Sequence, residues 1–157
     1  MAFNINNTLP FLNEINKRML LIDETAADTP YAEGKWTRKM MLGHLIDSAA
    51  NNHLRFVNGQ FSEDLVFHGY DHTSWVSVQN YSARSWHDLV EFWFKYNVHL
   101  FHVVVNMPEI KKNRKFDDHN FHEICWKKAP AESPATLGYL IEDYYGHMVH
   151  HLDQIFS

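Results

Sequence analysis

Apolar side chains recur at three- and four-residue intervals along four stretches of the chain, and no stretch alternates with the two-residue period of a half-buried strand. The pattern predicts an all-α protein. The first helix is expected from about Pro10 to Glu24, entered through Asn7 or Thr8, with Phe11, Ile15, Leu20 and Ile22 on its buried side. The second starts behind Thr37 as N-cap and runs to about Val57, where Asn58-Gly59 stops it. The third opens at Ser85, carries Leu89, Phe92, Trp93, Tyr96, Leu100 and Val103, and ends before Pro108. The fourth takes Ser133 as N-cap and Pro134 as its first residue and runs to about Ile155. Helices of this length predict an antiparallel four-helix bundle.

Two connecting loops, about 60–83 and 111–132, are longer than a minimal bundle needs, and long connections in compact domains are often functional. The first contains Tyr70, Asp71, His72 and Trp75, and the second His119, His122 and Trp126. They are expected to cover one end of the bundle. The plainer alternative is a pair of packed surface excursions that hold a short helix or a small hairpin.

Composition narrows the class. The 157 residues fit a single domain, 1–157, with 45% hydrophobic and 15% aromatic content and only six glycines and five prolines. The net charge is -5, and the basic residues gather only at Lys111 to Lys115, so no nucleic-acid partner is expected. A single cysteine, Cys125, excludes an internal disulfide and a thiolate metal cluster, which suits a reducing compartment. The N-terminal stretch lacks a basic, apolar leader pattern, and no run reaches transmembrane length, so the expectation is a cytoplasmic protein without a membrane partner.

The chemistry lies in the histidines. His147 and His151 are four residues apart on the last helix, so both imidazoles can point at one ion, with His44 on the second helix as a third ligand. Such a set leaves coordination positions open, where a water or thiol loses its proton near neutral pH. Twelve histidines make chance spacings common, and helix faces separate them. Leu137, Ile141, Tyr144, Met148, Leu152 and Ile155 form the apolar stripe of the last helix; His151 lies beside it and His147 at its edge. His150 falls roughly opposite, in line with Asp143, Gly146 and Asp153, and is expected to face solvent. His99 and His102 form a rival pair less suited to joint inward ligation.

On the second helix His44, Ser48, Asn51 and Arg55 form a polar line beside Met41, Leu45, Ala49 and Phe56. That line is either a solvated face or the wall of a polar cavity. Asp47 is placed to hold an imidazole or a solvent molecule near the ion, or to be a surface acid. No Walker loop, dinucleotide fingerprint, GxSxG elbow or HExxH motif is present, the final histidine motif being HMVHH. Cys125 has no predicted activating neighbour and is left out of the candidate set.

The run GKWTRKMMLGHLIDSAANNHLRF, the later GYDHTSW and the final YYGHMVHHLDQI together resemble the DinB-like superfamily, in particular its YfiT-like branch. The matching residues are Trp36, Thr37, His44, Leu45, Asp47, Ser48 and Arg55, then Asp71 and Trp75, then His147 and His151 followed by Asp153, Gln154 and Ile155. The third helix departs from the branch, with Trp93 or Tyr96 in the region of its motif histidine. The resemblance implies a four-helix bundle that binds one divalent metal through His44, His147 and His151, commonly as a homodimer. It implies a metal-dependent hydrolase, or a transferase that uses a low-molecular-weight thiol such as bacillithiol. The leading expectation is thiol transfer to an electrophilic small-molecule substrate, with Arg55 and Asn51 orienting an acidic cofactor and Asp47 and Ser48 supporting the site. Zinc or nickel suits the imidazoles best, and iron or manganese is compatible. The alternatives are hydrolysis by metal-activated water and a non-catalytic metal-binding stress protein.

Overall fold

The computed structural model describes residues 7–157, so the first six residues of the N-terminal stretch lie outside it. Its elements in chain order are α1 (Thr8–Met19), α2 (Glu24–Ala27), α3 (Arg38–Asn58), α4 (His72–Gln79), a 3₁₀ turn (Tyr81–Ala83), α5 (Trp86–Val105), α6 (Glu109–Asn113), α7 (Phe121–Ile124) and α8 (Leu137–Ile155). The four long helices are α1, α3, α5 and α8. The described residues contain isolated bridges and no strand. No helix among them is long and apolar enough to cross a membrane.

Local capping explains most helix starts. Thr37 accepts a hydrogen bond from the Met40 amide at 3.2 Å, and Ser85 accepts one from the Asp88 amide at 3.1 Å. α1 is shorter than expected and is turned differently. Leu12, Ile15 and Met19 form its buried stripe, while Leu20 is 43% exposed and Phe11 and Ile22 are partly buried. The chain stops after Met19 and restarts because Asp23, in extended backbone, caps α2 through the Ala26 amide. α3 ends at Asn58 as the pattern indicated, but Gly59 has an ordinary φ of -61°. Its lack of a side chain serves packing: a Cβ there would sit 2.6 Å from Leu137.

α8 starts at Leu137 with Thr136 as its cap, three residues after the expected Ser133. Ala135 exchanges backbone hydrogen bonds with Phe116 at 2.9 and 3.0 Å, which holds this stretch extended and delays the helix.

The directions of the helices follow from their ends. Arg38 at the start of α3 donates to the carbonyl of Ile155 at the end of α8, so this pair is antiparallel. Trp86 at the start of α5 donates to the carbonyl of Met19 at the end of α1, which makes a second antiparallel pair. Glu24 accepts from the Trp86 amide and pairs with Lys39, so α3 and α5 start side by side, and His53 meets Tyr96 and His99 further along. These two central helices therefore run in the same direction, a departure from a wholly antiparallel bundle that the long intervening connection permits. Trp93 and Leu89 of α5, Leu42, Leu45 and Phe56 of α3, and Leu140 of α8 are among the fully buried side chains of the core. Each large apolar residue so buried contributes about 1.5–3 kcal/mol.

The two long connections are stitched together. Leu65 bridges His119, and the Asn120 side chain accepts from the Phe67 amide at 3.0 Å while donating to the Phe67 carbonyl at 2.7 Å. They hold short helices, as the packed alternative foresaw, and also form walls of one cavity.

Candidate metal centre

α3 and α8 bring the three expected histidines to one point. His44 Nε2 lies 3.2 Å from His147 Nε2. The His151 ring centroid lies 4.9 Å from that of His44 and 4.5 Å from that of His147. One donor atom from each of the three falls within 4.8 Å of the others. Imidazoles sharing a tetrahedral ion at 2.0–2.1 Å hold their nitrogens about 3.3 Å apart, so the His44–His147 spacing fits one.

The electrostatics fit as well. Burial lowers His44 to about 3 and His147 to about 2, with the neighbouring histidines adding to the effect. Burial also lowers His151, against the opposing hydrogen bond to Gln154. All three are neutral near pH 7, the form that offers a lone pair to a metal. His151 Nδ1 lies 2.6 Å from the side-chain oxygen Oε1 of Gln154; donation to it leaves Nε2 free to ligate. His150 is exposed and stacked on Trp126 at 5.3 Å, outside the cluster.

Beside the cluster lies a cavity of about 430 Å³. His44, Ser48, Asn52 and Arg55 line it along α3, a length of about 16 Å from the first to the last. Asp143, Tyr144 and His147 line it from α8, while Gly69, Tyr70 and His72 close it from one connection and Cys125 and Trp126 from the other. The cavity thus follows the α3–α8 groove, where an end-on position was expected, because the paired connections lie along the helices. The polar line on α3 is a cavity wall and not a solvated face.

The expected supporting residues take different places. Ser48 is buried in the wall. Arg55 is only 7% exposed and donates to the His68 carbonyl at 3.0 Å; among the described residues it makes no direct ion pair, and the Asp143 carboxylate across the cavity acts on it only electrostatically. Asn51 donates to the Asp47 carbonyl, and its neighbour Asn52 takes the place in the wall. Asp47 accepts from Tyr81 Oη and Gln79 Nε2, each at 2.6 Å, and so fastens α4 and the 3₁₀ turn to α3. Gly43 allows this, since a Cβ there would lie 2.1 Å from the Tyr81 ring. Burial raises the Asp47 carboxyl above its ordinary range.

Sequence reasoning missed several lining residues. Asp143, expected on the solvent side, is half-buried and accepts from the amides of Trp126 and Lys127 at 3.0 and 2.7 Å, fixing that wall. Burial, followed by the Asp143 charge, pushes the Cys125 thiol well up, which suits a packing role. Tyr70 is pushed up to about 12, chiefly by burial, and remains a neutral phenol close to Ser48. The GYDHTSW run pointed to Tyr70 and His72 only as loop residues; nothing local indicated that the half-buried Tyr70 and the more exposed His72 line the cavity.

No family model matches the chain. Two curated relatives, from Bacillus cereus (strain B4264) and Bacillus anthracis (strain CDC 684 / NRRL 3495), each bear the name "Putative metal-dependent hydrolase" and are 29% identical over 66 residues, or 42% of this chain. The matched stretch spans 38% of the length of each relative. Among solved structures, the chain is similar to "YfiT from Bacillus subtilis", described as "a probable metal-dependent hydrolase with an unusual four-helix bundle topology". The TM-score is 0.75 at 18% identity, over 97% of this chain and 83% of that one. The fold is that of YfiT, the one the resemblance to the YfiT-like branch implied.

Proposed function

We propose that the protein is a metal-dependent enzyme in which His44, His147 and His151 hold one divalent ion, and which transfers a low-molecular-weight thiol to an electrophilic small molecule. Zinc or nickel suits the three imidazoles best. The observation that carries this reading is the pairing of a neutral three-histidine cluster with a roomy cavity that ends at a buried Arg55, whose guanidinium is in no direct ion pair among the described residues. When bound, the ion lowers the pKa of a coordinated thiol or water, so that a deprotonated nucleophile is available near neutral pH. The cavity falls within the usual 300–1,000 Å³ range of small-molecule sites. Arg55 supplies a fixed cation that suits the carboxylate of an acidic thiol carrier. Ser48 and Asn52 offer hydrogen bonds along the path between Arg55 and the histidines. The thiol sulfur forms its bond to the electrophilic carbon, the leaving group departs with the electron pair, and the thiol proton passes to solvent.

Hydrolysis is the second reading, favoured by the names of the curated relatives and the description of YfiT. Both readings use the same ion, and an added thiol separates them. Consumption of a chloronitrobenzene should accelerate with a carboxylate-bearing thiol and depend on the bound metal. Thiol-independent ester or amide turnover, inhibited by the same thiol, would reject transfer in favour of hydrolysis. One bound ion per chain with neither activity would leave a metal-binding protein without catalysis.

A further inference from the structure

A fourth imidazole stands at the open side of the cluster. His72 is the first residue of α4 and lines the cavity. Its ring centroid lies 5.5 Å from that of His44, a little beyond the 4.5–5.1 Å that separates the three clustered rings from one another. Trp36 packs edge-on against it at 5.9 Å.

The helix that carries it is fixed at both ends. Asp71 accepts from the amides of Thr73 and Ser74, and Gln79 at the far end is held by Asp47. The His72 ring nitrogens, in contrast, have no hydrogen-bond partner among the described residues. A staggered rotation about its side-chain bonds moves an imidazole nitrogen by more than the small excess in ring spacing. Three imidazoles leave at least one position of a tetrahedral ion unfilled, and a neutral imidazole is a suitable fourth donor.

We infer that His72 is a fourth, displaceable donor to the ion held by His44, His147 and His151, closing its coordination in the resting protein and yielding its place to the incoming nucleophile. This inference rests on the three-histidine reading above and adds to it a residue from a separate element. Cobalt(II) loaded into the full chain provides the test. The wild type should show the strong visible absorption of four-coordinate cobalt. His72→Ala should still bind one ion per chain, but with weaker absorption as solvent raises the coordination number, and with affinity lower by at least about tenfold. Added imidazole should restore the wild-type spectrum, and His72→Gln should match the alanine variant before rescue. Identical spectra and affinities in wild type and variants overturn the inference alone. Lost affinity without imidazole rescue assigns His72 a merely structural role and also overturns it. A wild type that binds no cobalt overturns both this inference and the function proposed above.

Discussion

For a single residue, one step around a helix decides whether a side chain meets the site. His147, His150 and His151 are close in sequence, yet only the first and last face His44. His147→Ala or His151→Ala should abolish binding of the single ion, while His150→Ala should leave it nearly intact; elemental analysis after mild purification measures both, and equal loss from all three would refute the face assignment. The same angular precision separates Asn51 from Asn52, where helical spacing allowed either, and conceals the inward turn of Asp143. Arg55→Lys keeps the charge but loses the guanidinium fork. It should raise KM for an acidic thiol by the equivalent of roughly 1.5–3 kcal/mol with little change in bound metal. The histidines also impose a pH dependence on the metal-free protein. In the unfolded chain they titrate near 6.5, whereas burial holds His44 at about 3 and His147 at about 2 in the fold. Above pH 6.5 both states are neutral and the histidines have no effect on stability. Below it the unfolded chain takes up protons that the fold refuses, so stability falls with pH. The urea midpoint of the metal-free protein should be lower at pH 5 than at pH 7.5, and substituting His44 by Gln should reduce the difference.

For whole elements, legibility followed the range of the interactions that set each boundary. α3 and α5 were read nearly to the residue because Thr37 and Ser85 cap them through amides three residues away. α8 was read three residues early because the decisive contact is the Phe116–Ala135 bridge, which no local pattern reveals. The caps can be compared directly. Thr136→Ala removes the side-chain acceptor of the Tyr139 amide and should cost about 1 kcal/mol. Ser133→Ala should cost much less, since the backbone carbonyl of Ser133, which the substitution retains, is what meets His119. Chemical denaturation of the two variants decides between the caps, and equal losses would count against the observed start of α8.

Across the whole molecule, the cluster exists only when distant parts of the chain assemble. His44 and His147 are separated by 103 positions, and the α3–α8 groove between them is closed by two connections that pair with each other. The four-helix architecture was legible because amphipathic periods are local, while the common direction of α3 and α5 and the groove-side cavity were not, because they depend on how the connections return. An ion that needs ligands from both helices binds the folded chain and finds no preformed site in the unfolded one. Binding therefore adds to stability by mass action, about 2.7 kcal/mol at a free-ion concentration of 100 Kd. For a chain of this size that corresponds to a rise in Tm of roughly 5–10 °C. Calorimetry with and without zinc should show the rise, and a chelator should reverse it. His44→Ala should lose the gain because it breaks the link between α3 and α8, whereas His150→Ala should keep it. A gain that survives in His44→Ala would mean that the ion stabilises the fold from another place, and the three-histidine centre would have to be given up.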